Sequence, residues 1–399
     1  MIVELEQAIE IINKNIKIKD ETEIIDIDEI ENRILAKDIY AKINQPPFNR
    51  SPLDGYAVNS SDIQTASKNT PVKLKVIGSI YAGDDNNIIG EIATAVRIMT
   101  GGSIPSGYDC IIRQEDTDYG DKEVQIYVKH TSYQNYCFKG EDIKEGELLL
   151  KKGTLLNFVH VGILASQGIS KINVKSKTNI LFLTTGDELI NIGDKLTSGK
   201  IYNTNLYTLK SRLKCLGVNV VAKTFKDDEI ELAKYIKENH KFYDAIITTG
   251  GVSVGAKDII HDTQKELFIT PIFNKVNLKP GTPAMFWKYS ETPILSLSGN
   301  PFAAVVTFEL MARAMISLIG ENVSIMPIWI NGTMADKFEK ASNKRRFIRA
   351  FYHNGIVNIK VNNHSSGAFT DTAYCNCLID IEAGNKGLNK GDKVKLILF

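Results

Sequence analysis

The residue types best placed for chemistry gather in one stretch, Asp244-Ala245-Ile246-Ile247-Thr248-Thr249-Gly250-Gly251-Val252-Ser253-Val254-Gly255-Ala256-Lys257-Asp258. A β-branched apolar run, which predicts a buried strand, breaks into Gly-Gly-x-Ser-x-Gly. Ile259-Ile260-His261 then opens a helical pattern. Strand, glycine loop and helix together aim bare backbone N–H groups at whatever docks at the end of a parallel sheet. Gly250 and Gly251 let the backbone approach an anion closely. Ser253 adds a hydroxyl, and Asp258 adds a carboxylate at the same rim. The loop is neither G-x-G-x-x-G nor G-x-x-x-x-G-K-[ST], so neither of those mechanisms transfers. A strand-to-helix turn with no ligand is the competing reading.

A second turn of the same kind follows. The strand Pro293-Ile294-Leu295-Ser296-Leu297 ends in Ser298-Gly299-Asn300-Pro301. Asn300 caps, and Pro301 takes the first position of a long apolar helix to Ile319. Lys344-Arg345-Arg346-Phe347-Ile348-Arg349 is the densest basic cluster, a pattern that most often marks a solvated face. Cys375 and Cys377 form a C-x-C pair with no second Cys/His group, which is weak grounds for a metal site.

These turns need a scaffold. From Lys175-Ser176-Lys177-Thr178 onward, strands and helices alternate, which predicts an α/β domain. Ile180-Leu181-Phe182-Leu183 reads as a buried strand ending in Thr185-Gly186-Asp187-Glu188-Leu189. Asn203 caps a helix that stops at Gly217. Val218 to Val221 is the next strand, and Asp227-Asp228-Glu229 opens a helix with Ile230, Ala233 and Ile236 on one face. Upstream, Leu5, Ala8, Ile9 and Ile12 share a helical face. Asp26 with Glu29 predicts a second helix start, with Ile27, Ile30 and Ile34 as its stripe. Pro46, Pro47 and Pro52 enforce a rigid loop leading to the Asp54-Gly55 turn. Val72 to Val128 reads as an inserted β domain of short strands. Past Gly320, alternation at Val357, Ile359 and Val361, and at Val394, Leu396 and Leu398, predicts a C-terminal β domain, barrel-like.

With 399 residues, two to four domains are expected. The 48 basic and 47 acidic residues leave a net charge of +1, so there is no global field for nucleic acid or membrane, and any anion site must be local. The N-terminus lacks a basic region followed by a long apolar core, and the scattered five cysteines form no disulfide framework. The chain reads as cytoplasmic.

Seven motifs now fall in register. They are Pro46-Pro47-Phe48 with Asp54-Gly55-Tyr56-Ala57-Val58, Ile98-Met99-Thr100-Gly101, Gly140-Glu141-Asp142-Ile143, Thr185-Gly186-Asp187-Glu188-Leu189, Gly250-Gly251-Val252-Ser253-Val254-Gly255, Lys279-Pro280-Gly281 with Pro283, and Gly299-Asn300-Pro301. In this order they resemble the molybdopterin molybdenumtransferases, which include the gephyrin E domain. The resemblance spans essentially the whole chain. It implies a multidomain α/β protein: an elongated N-terminal domain from segments 1–50 and 140–176, an inserted β domain over 51–139, a central doubly wound molybdopterin-binding domain over 177–322 and a C-terminal β domain over 323–399. It implies a homodimer with the active site between subunits. The implied reaction is insertion of molybdate into adenylylated molybdopterin, with Mg²⁺-dependent release of AMP.

The resemblance implies catalytic roles for Asp54, Asp142 and Asp258, and metal handling by Asp187, Asp228 and Asp258. It implies substrate contacts at Thr100, Glu188, Gly250, Gly251, Ser253, Lys275, Lys279, Asn300, Pro301, Arg349 and Ser366. The chemistry agrees: glycine amides and Ser253 suit phosphate, and Lys275 and Lys279 offer point charges. Oxygen donors suit Mg²⁺. Lys344, Arg349, Ser365 and Ser366 can bring the C-terminal domain to an oxyanion pocket. The chain departs from the family at Ser298, where proline is usual, and at Asn343-Lys344, where the family carries Gly-Arg. The arginine role therefore falls to Lys344, Arg346 or Arg349. His364 as a ligand is weighed against a surface histidine. Expected partners are small-molecule substrates, a second copy, and the molybdopterin adenylyltransferase with other proteins of the pathway. A related nucleotide-cleaving enzyme and a non-catalytic gephyrin-like scaffold are the alternatives.

Overall fold

The computed structural model describes residues 1–85, 87–252, 258–359 and 364–399. At its centre is a five-stranded sheet in the order Asn219–Phe225, Asn179–Thr185, Ala245–Thr249, Thr292–Leu297, Met285–Tyr289. The first four strands run parallel, and the last pairs antiparallel at the edge. Both faces are covered, as a doubly wound sheet requires. Ile180, Phe182, Ile247 and Leu295 face one apolar cluster, while Leu181, Leu183, Ile246 and Ile294 face the other. The helices Thr204–Cys215 and Pro301–Ile319 cover the first face. Glu229–Asn239 and Ile259–Glu266 cover the second.

Pro301–Ile319 is long and apolar enough to cross a membrane by composition, but it is the core helix of this domain and 94% buried. Its middle, Phe308–Ala312, is π-helical. There Glu309 sits buried between Arg212, at 2.7 and 3.0 Å, and Arg313, at 2.8 Å.

The first helix, Leu5–Lys14, buries Leu5, Ala8 and Ile12 in the central cluster with Ile180 and Phe182. Ile2–Val3 pairs parallel with Lys275–Val276. The elongated module therefore lends its opening helix to the central core. Its own core draws on both expected segments: Ile25, Ile30 and Leu35 from the first, Leu150, Leu156, Leu164 and Val174 from the second.

The helix expected from Asp26 is not formed. Thr22–Asp26 is a strand, paired antiparallel with Lys171–Lys175, and only Ile27–Glu29 coils as one 3₁₀ turn. The Ile24-Ile25 pair favours extended backbone, and the ladder to Lys171–Lys175 supplies its hydrogen bonds. Tertiary pairing therefore wins over a short-range helix signal. Ile30 and Ile34 are still buried, but from irregular backbone.

The inserted domain is a five-stranded sheet in the order Cys110–Arg113, Gly55–Val58, Thr94–Ile98, Val72–Ile80, Glu123–Ile126. In the C-terminal domain Arg345–His353 pairs with both Ile356–Asn358 and Cys377–Ile381, which closes the sheet into a barrel. Val361, part of one predicted alternation, lies outside the described residues. The two-residue strand Leu278–Lys279 leaves the central domain and joins this barrel beside Arg345.

Candidate functional site

The topology fixes the first cavity. Strand Asn179–Thr185 has Asn219–Phe225 on one side and Ala245–Thr249 on the other, so the chains leaving Thr185 and Thr249 diverge at adjacent carboxyl ends. Open parallel sheets bind ligands at such a switch point. A cavity of about 460 Å³ opens there, walled by Thr185, Gly186 and Glu188, by Thr249 to Val252, and by Ser298 to Pro301. Both predicted glycine turns face it.

Sterics explain the glycines. Gly250 has φ +94°, and a β-carbon on it would lie 2.3 Å from the Thr185 carbonyl oxygen. On Gly251, with φ +62°, a β-carbon would lie 1.9 Å from a methyl carbon of Ile259. No side chain fits either position. The hydroxyls of Thr185 and Thr249 are buried at the cavity floor without a hydrogen-bond partner among the described residues, which suits them to a ligand. Behind them Asn203 donates to Thr184 Oγ1 at 2.7 Å and to Thr224 Oγ1 at 3.0 Å, and accepts from the Leu206 N–H as helix cap. Asn205 Nδ2 donates to the Gly299 carbonyl at 2.8 Å, tying the second turn to the first helix.

The rim is acidic. The Glu188 carboxylate folds over Gly186, 2.7 Å from where a β-carbon would stand. The Asp227 N–H donates to Asp187 Oδ1 at 3.2 Å, and the Asp187 N–H to Asp227 Oδ2 at 3.5 Å, which brings the two carboxylates together. Asp227 lines the cavity, and the sequence reading did not single it out. Asp228, which it did, spends its carboxylate capping the helix Glu229–Asn239 through the Glu231 N–H at 2.8 Å. The D-D-E run carried both possibilities; only the turn geometry separates the cap from the cavity residue.

Asp258 also caps a helix, accepting from the His261 N–H at 3.2 Å. Its second oxygen is buried without a hydrogen-bond partner among the described residues, 3.8 Å from His261 Nε2. Burial pushes this carboxyl above the usual carboxylate range. Asp258 does not line the cavity, and Ser253 lies outside the described residues.

A second cavity, of about 530 Å³, lies between the central domain and the barrel. Ser298 and Asn300 line both cavities, so the two adjoin. The second adds Lys279, Lys340, Arg346, Ser365 and Ser366. Lys279 and Arg346 are register partners across the strand that joins the domains, so two cations stand side by side on one wall. Asn300 Nδ2 donates to Ser366 Oγ at 3.4 Å. His364 lines the same wall, edge-on to Phe338.

Three expectations change here. Among Lys344, Arg346 and Arg349, it is Arg346 that lines the cavity. Arg349 is fully buried and bonds the Ser365 and Ala368 carbonyls, because its strand position points it behind the wall. Lys275 lines neither cavity, since its two-residue strand pairs with Ile2.

Asp54 and Thr100 are hydrogen-bonded to each other, and Asp142 lies on another loop. Asp54 Oδ1 accepts from the Thr100 N–H and hydroxyl, both at 2.7 Å, and these bonds hold its carboxyl below the usual range. Arg50 bridges to both Ser103 and Cys137, and the Asp142 N–H donates to the Gln45 carbonyl at 3.0 Å, so the three loops converge. None of the three residues lines either cavity. Among the described residues no group of three or more His, Cys, Asp or Glu side chains is assembled.

Three family models match in succession. They are the MoeA N-terminal region (domain I and II) over residues 3–168, the probable molybdopterin binding domain over 182–317, and the MoeA C-terminal region (domain IV) over 331–399. The molybdopterin molybdenumtransferase of Staphylococcus aureus (strain COL) is 34% identical over 372 residues, covering 92% of this chain and 88% of the relative. That of Staphylococcus epidermidis (strain ATCC 12228) is 33% identical over 378 residues, covering 94% and 90%. A crystal structure of the molybdopterin biosynthesis moeA protein from Pyrococcus horikoshii OT3 superposes with a TM-score of 0.86 at 25% identity, covering 100% of both chains.

Proposed function

The chain belongs to the molybdopterin molybdenumtransferase family of molybdenum cofactor biosynthesis, and from that premise we propose that its first cavity takes the phosphorylated pterin and its second takes molybdate. The observation that carries this reading is the shared wall of Ser298 and Asn300. The insertion reaction needs a phosphorylated dithiolene and a tetrahedral dianion held next to each other. Glycine amides and two threonine hydroxyls suit the phosphate, while Lys279 and Arg346 with the Ser365 and Ser366 hydroxyls suit the oxyanion.

In this reading adenylylated molybdopterin loses AMP as molybdate enters the dithiolene: two Mo–S bonds form, one Mo–O bond breaks, and that oxygen leaves as water with the two thiol protons, with no change of oxidation state. Water adds to phosphorus, the phosphoanhydride P–O bond breaks, and the leaving oxygen takes the electron pair. The Asp258 carboxyl, lifted by burial, is suited to holding the proton exchanged in that step. For Mg²⁺, Asp187 and Asp227 would offer the oxygen donors, each carboxylate being held against the other residue's backbone N–H, with the substrate phosphates completing the set. When bound, the ion supplies Lewis-acid polarisation of the phosphoanhydride.

Asp54 and Asp142 keep their catalytic assignment through a second copy. Neither lines either cavity of its own chain, which is what a site completed by a partner requires. The helix Phe158–Ser166 supports a homodimer: it is mostly apolar, yet Phe158 is 77% and Val159 51% exposed. The segments 1–50 and 140–176, 51–139, 177–322 and 323–399 are our domain assignment, with the first helix packed on the central core. We read the chain as cytoplasmic, supported by five cysteines that form no disulfide and by the burial of its longest apolar helix. The adenylyltransferase that makes the substrate is the expected partner for its transfer. A nucleotide-cleaving α/β domain alone would have no use for the barrel's cavity wall.

The test is AMP release from adenylylated molybdopterin, with and without molybdate. Molybdate-stimulated release is expected. Equal release in both conditions, or none, would overturn the reading.

A further inference from the structure

Arg349 lies in the barrel strand Arg345–His353 and has no exposed surface, an unusual place for a guanidinium. Nη1 donates to the Ala368 carbonyl at 2.5 Å and to Thr372 Oγ1 at 3.4 Å; Nη2 donates to the Ser365 carbonyl at 3.0 Å. All three acceptors are uncharged. The guanidinium carbon stands 3.6 Å from the centre of the Phe302 ring, a cation–π stack. Phe302 opens the helix behind the second glycine turn, and its N–H donates to the Ser366 carbonyl at 3.1 Å.

One side chain therefore joins three pieces: the barrel strand, the segment carrying Ser365 and Ser366, and the helix start carrying Asn300. Given the molybdate site proposed above, on which this rests, we propose that Arg349 is a positioning residue. It holds the Ser365 and Ser366 segment against the Asn300–Phe302 turn so that both serines face the oxyanion opposite Lys279 and Arg346. It touches no substrate itself. Only a planar fork can reach two carbonyls and a ring face together; lysine offers a single point charge. The segment lines the second cavity and not the first, so the effect must fall on molybdate and spare the pterin.

The test measures tungstate affinity by calorimetry, and both KM values in the AMP-release assay, for wild type, Arg349→Met, Arg349→Lys and Phe302→Leu. Arg349→Met is expected to weaken tungstate about tenfold, as the loss of two or three hydrogen bonds implies. KM for adenylylated molybdopterin should stay within about twofold, since that cavity keeps its lining. Arg349→Lys should recover part of the loss. Phe302→Leu, which keeps the guanidinium but removes the ring face, should weaken tungstate to a lesser degree and serves if Arg349→Met does not fold. Unchanged tungstate affinity in the folded variants, or an equal rise in both KM values, would overturn the positioning role while leaving the wild-type site intact. A wild type that binds no tungstate would overturn the molybdate site and this inference with it.

Discussion

Lys279 and Arg346 are paired in register across two strands that belong to different domains. The Leu278–Lys279 strand leaves the α/β domain and lies along the barrel strand, so the pairing makes one wall out of two modules. An anion bound between them would offset the repulsion of two neighbouring like charges. Lys279→Ala and Arg346→Ala should each raise KM for molybdate by roughly tenfold or more, the weight of one charge-assisted contact. Initial-rate kinetics with molybdate varied at saturating pterin check this; an unchanged molybdate KM in both variants would refute it.

At Gly250 a β-carbon would lie 2.3 Å from the Thr185 carbonyl oxygen, a backbone atom that cannot turn aside as a side chain can. Gly250→Ala must push apart the two strand ends that form the switch point. We expect roughly 1–3 kcal/mol of destabilisation, with loss of pterin binding. Chemical denaturation and pterin fluorescence titration measure the two effects.

Asp258 gives a pH-dependent prediction. Burial raises its folded-state pKa above the unfolded carboxyl's value, so the protonated form is favoured by folding. Its contribution to stability is full below the unfolded pKa and is lost as pH rises through the raised folded value. Asp258→Asn, which keeps a capping oxygen, should remove this loss on the alkaline side of that window and hold melting temperature at neutral pH. Turnover should vanish. A variant with normal turnover would refute the catalytic assignment.

Asp54 runs the other way. The Thr100 N–H and hydroxyl hold its folded-state pKa below the ordinary value, so its stabilising contribution is present above the unfolded pKa and lost as pH falls through the folded one. Thr100→Val removes the hydroxyl but not the backbone donor. The Asp54 pKa should therefore rise only part of the way, as carboxyl NMR titration would show. No change would mean that the hydroxyl bond contributes nothing.

Asp142→Asn should abolish turnover with folding intact. If a second copy completes the site, mixed dimers of Asp142→Asn with Lys279→Ala subunits should regain activity, because one of their two sites is then wild type. Mixed dimers no more active than either parent, assayed at molybdate well below the Lys279→Ala KM, would contradict the shared site.

Much of this was legible in the sequence because glycine, proline and capping residues carry local geometry. The Gly250-Gly251 and Gly299-Asn300-Pro301 turns, the Asn203 cap and the helix from Pro301 all follow from chain-local rules. The Thr22–Asp26 strand did not, because its partner Lys171–Lys175 lies far along the chain. Nor did the choice between Asp227 and Asp228, or between Arg346 and Arg349. Adjacent or three-apart residues of one type differ only in which way the backbone turns them, and that is set by packing.

The central claim is that an oxyanion sits where the α/β domain meets the barrel, against the pterin cavity. Anomalous scattering from tungstate-soaked crystals tests it most directly. The account predicts a tungsten peak within the cavity bounded by Lys279, Ser298, Arg346 and Ser366. A fully occupied tungsten elsewhere, with that cavity empty, would contradict it.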